Sequence, residues 1–322
     1  MKERVVSRVF RRSAWLACWT ILTTAGAVSA NGLKVYSSSM KFGPFDLETD
    51  SLQQLPGGIE PFGFEEPVWV IGYQSAIVDA DGQPVDDELR CHTMLRTPVP
   101  DAWMGRPTNG IPFKGFFSDA YNLRLVLPEG FGIFVDVGEE LDMAPMFNNR
   151  TDVPVVAGLE VTVYFVRDAD LAEPLTPLYT TVASIVDPHM YMVPPGGDIR
   201  ESRYRFPYSG VIRALGVHLH PYGRSLELIN ETRGETVWKG VGSVGENDRL
   251  IKMPFLQNPD GYAFSPADTF VLRAIYDNPT SVDQDAMAGF FIFFSTENGE
   301  FPPPPQAQLS DETHEPSPHS KH

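Results

Sequence analysis

Most of the chain is written in short runs in which apolar and polar residues alternate. Val68-Trp-Val-Ile-Gly-Tyr73, Asn122-Leu-Arg-Leu-Val-Leu127, Leu159-Glu-Val-Thr-Val-Tyr-Phe-Val166 and Phe270-Val-Leu-Arg-Ala-Ile-Tyr276 are clear examples. The period of two, the β-branched and aromatic enrichment, and turn residues at intervals of roughly ten positions predict strands stacked as all-β sandwiches. Ser225-Leu-Glu-Leu-Ile-Asn230 and Glu235-Thr-Val-Trp-Lys239, joined across Gly234, predict a hairpin. No long amphipathic helix competes with this reading.

A length of 322 residues suggests two such sandwiches in tandem. Pro188, Pro194, Pro195, Gly196 and Gly197 interrupt the strand pattern and place the join within 187–197. The first domain is then expected over 31–190 and the second over 191–300. Phe301-Pro-Pro-Pro-Pro305 opens a tail, 301–322, with no apolar periodicity, which predicts disorder. His314, His319 and His322 belong to that solvated tail.

Residues 1–30 read as a signal peptide. Lys2, Arg4, Arg8, Arg11 and Arg12 form a basic start, Ser13 to Val28 supplies a short apolar core, and Val28-Ser29-Ala30 suits cleavage. The core falls short of the ~20 residues of a spanning helix, so no stable membrane anchor is expected after cleavage. Arg11-Arg12 raises a twin-arginine route, which Phe10 and Ala14 fit poorly. Cys18 is a weak lipidation candidate. Export would deliver the chain to a periplasm or the extracellular space.

Loss of this leader removes five Lys/Arg and one Glu, taking the net charge from −17 to −21. Such acidity argues against nucleic acid or an anionic membrane as partner, since both need clustered positive charge. Of two cysteines only Cys91 would remain, which excludes an intramolecular disulfide.

The candidate chemistry centres on Gly216-Val-His-Leu-His-Pro-Tyr-Gly-Arg224. On a strand, His218 and His220 share a face, and two neutral imidazoles there are half of a transition-metal site. Downstream, Met287 precedes the apolar run Ala288–Ser295. A thioether added to two imidazoles makes a soft three-ligand set that suits copper. Elsewhere, His189 with Met190 and Met192 is a smaller Met/His group that either attracts Cu(I) or packs an interdomain surface. Asn149-Arg-Thr and Asn230-Glu-Thr match the glycosylation pattern. Asp79-Ala-Asp-Gly82 reads as a turn. Phosphate-loop, nucleophile-elbow and zinc-protease motifs are absent from the sequence.

The segments Val193–Tyr208, Gly216–Arg224 and Asn258–Ser295 resemble the type II copper, ascorbate-dependent monooxygenases, the family of peptidylglycine hydroxylating monooxygenase and dopamine β-monooxygenase. The carrying residues are His218, His220, Gly223 and Arg224, followed by Met287 after an acidic residue and before an aromatic strand. The resemblance implies two jelly-roll-like antiparallel β-sandwich domains and a copper ligated by His218, His220 and Met287. It also implies a second copper, held by the first domain across an open cleft. In that domain the family's His-His pair corresponds to Cys91-His92, and its later His to Met146. Either Cys91, His92 and Met146 form a soft Cu(I) site, or the second metal is gone and Cys91 is a buried thiol. The second is the more economical. Gly216, Gly289 and Phe291 stand where peptide-amidating members carry Arg, Asn and Tyr, so a peptide carboxylate would find no guanidinium here.

The expected function is therefore an exported copper-binding protein with one ion at His218, His220 and Met287. Two alternatives stand beside it. One is an active copper-dependent monooxygenase, hydroxylating an unknown non-peptide small molecule in the interdomain cleft with an external reductant such as ascorbate. The other is a metal-free surface or interaction module.

Overall fold

The structure is a computed structural model describing residues 24–28, 32–49, 51–54, 59–85, 89–98, 110–119, 124–185, 190–245 and 248–302. Cys18, His189, the tail histidines and most of the expected leader lie outside the described residues. The chain is all-β, built of two jelly-roll-like antiparallel sandwiches in tandem. Among the described residues no helix is long and apolar enough to cross a membrane.

The first sandwich has a seven-stranded sheet in the order β1 (Thr24–Val28), β2 (Lys34–Leu47), β11 (Val155–Arg167), β5 (Val68–Val78), β9 (Phe131–Val135), β12 (Thr176–Pro177), with β8 (Arg124–Val126) also on β5. Its second sheet runs β3 (Ser51–Gln54), β10 (Leu141–Asn149), β6 (Arg90–Arg96), β7 (Gly115–Asp119), with β4 (Ile59–Phe62) on β10. Alternation puts Tyr73, Ile77, Leu159 and Val161 into a core shared with Leu95, Phe116 and Phe147. A hydroxyl cluster is buried there too: Tyr73 to Thr93 at 2.9 Å and Thr93 to Ser118 at 2.7 Å.

The second sandwich pairs β13 (Tyr179–Ser184), β24 (Ala288–Ser295), β16 (Gly210–Leu219) and β21 (Leu256–Phe264) in one sheet. The other holds β15 (Gly196–Tyr204), β22 (Phe270–Asn278), β17 (Gly223–Asn230) and β18 (Glu235–Val241). Two ribbons complete it: β14 (Tyr191–Val193) with β23 (Gln284–Ala286), and β19 (Ser243–Val244) with β20 (Leu250–Lys252). The expected hairpin forms as β17–β18, with Gly234 at φ +67°. Because β13 pairs with β24, strand pairing passes to the second sandwich between Pro177 and Tyr179, ahead of the expected join at 190–191.

The sheet carrying β24 is buried on both faces. Phe290, Ile292 and Phe294 fill the second sandwich's core, whereas Phe291, Phe293, Val182 and Ala214 pack with the first. The rings of Phe117 and Phe291 stack at 3.5 Å, and Phe116 meets Phe293 at 6.0 Å. A strand covered on both sides has no polar face, which explains the unbroken apolar run Phe290–Phe294. The open cleft expected between the domains is therefore corrected at this place: aromatic packing fills it.

Truncating Phe293, fully buried between the two sandwiches, should cost about 3–5 kcal/mol. Denaturant unfolding of Phe293→Ala measures this; a loss under about 1 kcal/mol would mean that the interface is not packed as described.

Candidate metal centre

Alternation decides where the histidines point. Leu215, Val217 and Leu219 enter the second core, which turns Ala214, Gly216 and His218 toward the first sandwich. The N–H of His220 donates to the Met287 carbonyl at 3.2 Å, extending the β16–β24 pairing by one residue. Tyr222, at φ +71°, then reverses the chain, and Gly223 N–H returns to the His220 carbonyl at 3.1 Å. A Cβ at Gly223 would strike the Leu219 side chain, so any larger residue at the turn would force Leu219 to move. His218 and His220 are 4% and 3% exposed, their rings 5.2 Å apart and near perpendicular.

The third member comes from the first sandwich through a backbone irregularity. Met146 pairs with His92 and Phe147 with Arg90, leaving Cys91 as the extra residue of a β-bulge. Regular alternation would bury Cys91 beside Thr93 and Leu95; the bulge instead aims its thiol at the second sandwich. Cys91 Sγ lies 3.5 Å from His220 Nε2, 3.9 Å from His218 Nε2 and 3.4 Å from His92 Nδ1. One ligand atom from each of Cys91, His218 and His220 falls within 4.8 Å of the others, and all three residues are buried. This group could bind a metal ion.

A carboxylate orients one ring. His220 Nδ1 donates to Asp285 Oδ2 at 2.8 Å, and the same oxygen accepts from Arg150 Nη2 at 2.9 Å. Burial alone would raise the Asp285 pKa; the hydrogen bond from His220, then the charges of His220 and Arg150, outweigh it and hold the carboxyl below its ordinary value. An ionised carboxylate only accepts, so in the neutral ring the proton sits on Nδ1 and the Nε2 lone pair faces Cys91. Arg150 arrives from the turn after β10, so this contact also spans the two sandwiches.

A cavity of about 80 Å³ adjoins the group, lined among others by His92, Met94, Phe117, His218, Met287, Gly289 and Phe291. Met287 is 3% exposed, its carbonyl held by Tyr276 Oη at 2.7 Å as well as by His220 N–H. His92 is half-buried, its ring 5.1 Å from that of His218, and Met146 stands opposite it on β10. The separate second site expected of Cys91, His92 and Met146 is thus corrected: Cys91 is part of the His218–His220 group. Cys91 is a buried thiol, as the alternative reading expected, but its place beside the two imidazoles was not anticipated.

Asp285 and Arg150 were not expected either, although Asp285 lies two residues before Met287 in a segment already singled out. The glycosylation readings fail on burial. The Asn149 amide donates to the Leu47 and Val153 carbonyls at 3.2 and 2.9 Å, and that of Asn230 to Asp268 at 3.0 Å. The first of these is a repeated device: Asn278 donates to Val193 and Val282, and Thr280 caps Asn278 as Thr151 caps Asn149. Asp79–Gly82 forms the expected turn, with Gln83 N–H on Asp79 Oδ1 at 2.8 Å.

No family model and no curated protein matches the chain. Among solved structures, one from Sulfolobus Turreted Icosahedral Virus is 9% identical at a TM-score of 0.38, covering 81% of this chain and 90% of that one. The crystal structure of PBCV-1 VP54 fitted into a reconstruction of the virophage Sputnik is 7% identical at 0.32, covering 83% and 95%. Likeness at that level says nothing about chemistry.

Replacing Asp285 by Asn keeps the shape but removes the acceptor-only group behind His220. Metal affinity should fall by about 10–100-fold in Asp285→Asn, read by competition against a chelator; an unchanged affinity would refute the orienting role.

Proposed function

We propose that the protein is an exported copper-binding protein with a single centre formed by Cys91, His218 and His220, Met287 adding a soft donor from the cavity wall. The observation that carries this reading is the approach of the Cys91 thiol to both imidazoles, one of them oriented by Asp285. A thiolate with two imidazoles and a neighbouring thioether is a donor set matched to copper, especially Cu(I). Copper held there would supply one-electron redox chemistry. The chain's own part is to exclude water with Phe117 and Phe291, fix the His220 tautomer, and bring donors from both sandwiches together. Export rests on the basic, apolar leader, with cleavage expected next to Ala30, a cut that would remove the edge strand β1 from the first sandwich.

The relationship to copper monooxygenases belongs to this proposal through His218, His220 and Met287. Those enzymes use two coppers on opposite sides of a cleft, and here the corresponding Cys91 meets the histidines directly. That favours holding or carrying the ion over coupled hydroxylation. A monooxygenase acting on a non-peptide substrate with ascorbate is the second reading, supported by the cavity beside His218 and Met287. At about 80 Å³ that space takes only a few atoms, so a larger substrate requires the sandwiches to part.

Purified protein should retain one equivalent of copper, with a thiolate charge-transfer band. Cys91→Ser and His218→Ala should each lose the ion, and copper at about a hundred times Kd should stabilise the fold by about 2.7 kcal/mol. Retention by both variants sinks the site. Preference for zinc over Cu(I) sinks the choice of metal, and no uptake of either leaves only the scaffold. Ascorbate-dependent oxygen uptake coupled to product would favour the second reading.

A further inference from the structure

The ribbon β14–β23 and the residue just before it carry two thioethers, Met192 and Met190, that the buried centre does not use. Met190 and Met192 are 38% and 51% exposed, while Tyr191 and Val193 between and after them are buried at 6% and 1%. Met192 lies in β14 and Met190 directly precedes it, and the exposed–buried–exposed–buried order over 190–193 leaves both methionine side chains open to solvent. In the β14–β23 register Met192 is the direct partner of Asp285, and directly opposed residues of an antiparallel pair project from the same face. Asp285 is 35% exposed, and its Oδ2 accepts the proton of His220 Nδ1. One surface patch therefore holds two soft sulfur donors and a carboxylate that leads straight to a buried ligand ring.

Exposed methionine needs a reason when two occur within three residues beside a candidate metal centre. Apolar packing does not supply one here, because the core positions of this ribbon are Tyr191 and Val193. Two cations border the patch and both are paired with carboxylates: Arg200 is held by Asp198 at 2.6 Å while its Nη2 reaches the Met192 carbonyl at 3.2 Å, and Arg150 Nη2 lies on Asp285 Oδ2 at 2.9 Å. A net charge of −17 for the whole chain draws cations toward the surface in general. Thioethers select among them, being polarizable and uncharged, for soft monovalent ions.

We propose that Met190 and Met192 form a surface docking site for Cu(I), from which the ion passes inward past Asp285 to Cys91, His218 and His220. This rests on the buried centre proposed above. The direction follows from ligand strength: neutral thioethers hold Cu(I) more weakly than a thiolate with two imidazoles, so transfer inward is downhill and the ion remains Cu(I) throughout. The outer pair governs the rate of loading and the buried set governs its extent.

The test is made on the full mature chain. With the double variant Met190→Leu/Met192→Leu, whose side chains keep similar volume, uptake from a Cu(I)–chelator complex should slow by about tenfold. The final stoichiometry should match that of the unaltered protein. Equal uptake rates would overturn the proposal, and so would a lower final stoichiometry at an unchanged rate. A second measurement works without the buried centre: Ag(I), a redox-inert soft probe, is added to Cys91→Ser while the methionine methyl resonances are followed. Shifts at Met190 and Met192 support the docking site, and their absence overturns it. If the unaltered protein takes up no copper, the buried centre fails, while the Ag(I) response still decides the surface pair.

Discussion

The sheet β13–β24–β16–β21 is covered on both faces, and the candidate metal-binding group of Cys91, His218 and His220 depends on that double burial. An antiparallel sheet in a sandwich ordinarily shows one face to water and alternates accordingly. Here the outer face meets β6 and β7 of the other sandwich, so Phe291 and Phe293 are buried as well as Phe290 and Phe294. Two histidines on that face are withdrawn from water without entering either sandwich's own core. Buried imidazoles cost free energy unless their nitrogens find partners. For His220 the partners at this interface are Cys91 from one half and Asp285 from the other.

The junction combines aromatic packing with polar contacts, among them Thr180 Oγ1 donating to the Gly115 carbonyl at 2.7 Å. Stacking of Phe117 on Phe291 holds the sheets in register, and Arg150 reaches across to Asp285. Both members of that ion pair are partly exposed, at 27% and 35% for the side chains. Its contribution to stability is therefore modest, and its consequence is orientation. The guanidinium fixes the carboxylate, the carboxylate fixes the His220 proton, and the unprotonated nitrogen is left facing the thiol. The buried asparagine turn that positions Arg150, at Asn149–Val153, is matched in the second sandwich by Asn278–Val282. Each half uses one side-chain amide to tie a loop to a neighbouring strand.

Moving the cysteine into the histidine pair changes the chemistry expected of the fold. A centre of two imidazoles and a thioether leaves room for an outside molecule and needs a second redox centre elsewhere for a two-electron reaction. The Cys91 thiol adds a further soft donor to that set. The proposed carrier role and the proposed surface methionines are consistent with each other: a deeply buried soft centre needs an entrance, and the ribbon bearing Asp285 is where the centre comes nearest to exposed sulfur.

Much of the architecture was legible along the chain. Two-residue periodicity identified Val68–Tyr73, Leu159–Val166 and Phe270–Tyr276 as strands, Gly234 marked the hairpin turn, and the spacing of His218 and His220 put them on one face. These are local matters, settled by side-chain alternation and by the backbone freedom of particular residues. Residues far apart in sequence were not legible: Cys91 is 127 positions from His218 and Arg150 is 135 from Asp285. The bulge that turns Cys91 outward leaves no mark on apolar periodicity, because a thiol suits a core position as well as a ligand position. The sequence by itself determined the strands, their faces and the kinds of donor available. Which donors meet was decided by the packing of one sandwich on the other, since contact between distant strands depends on register and burial that no short stretch of chain encodes.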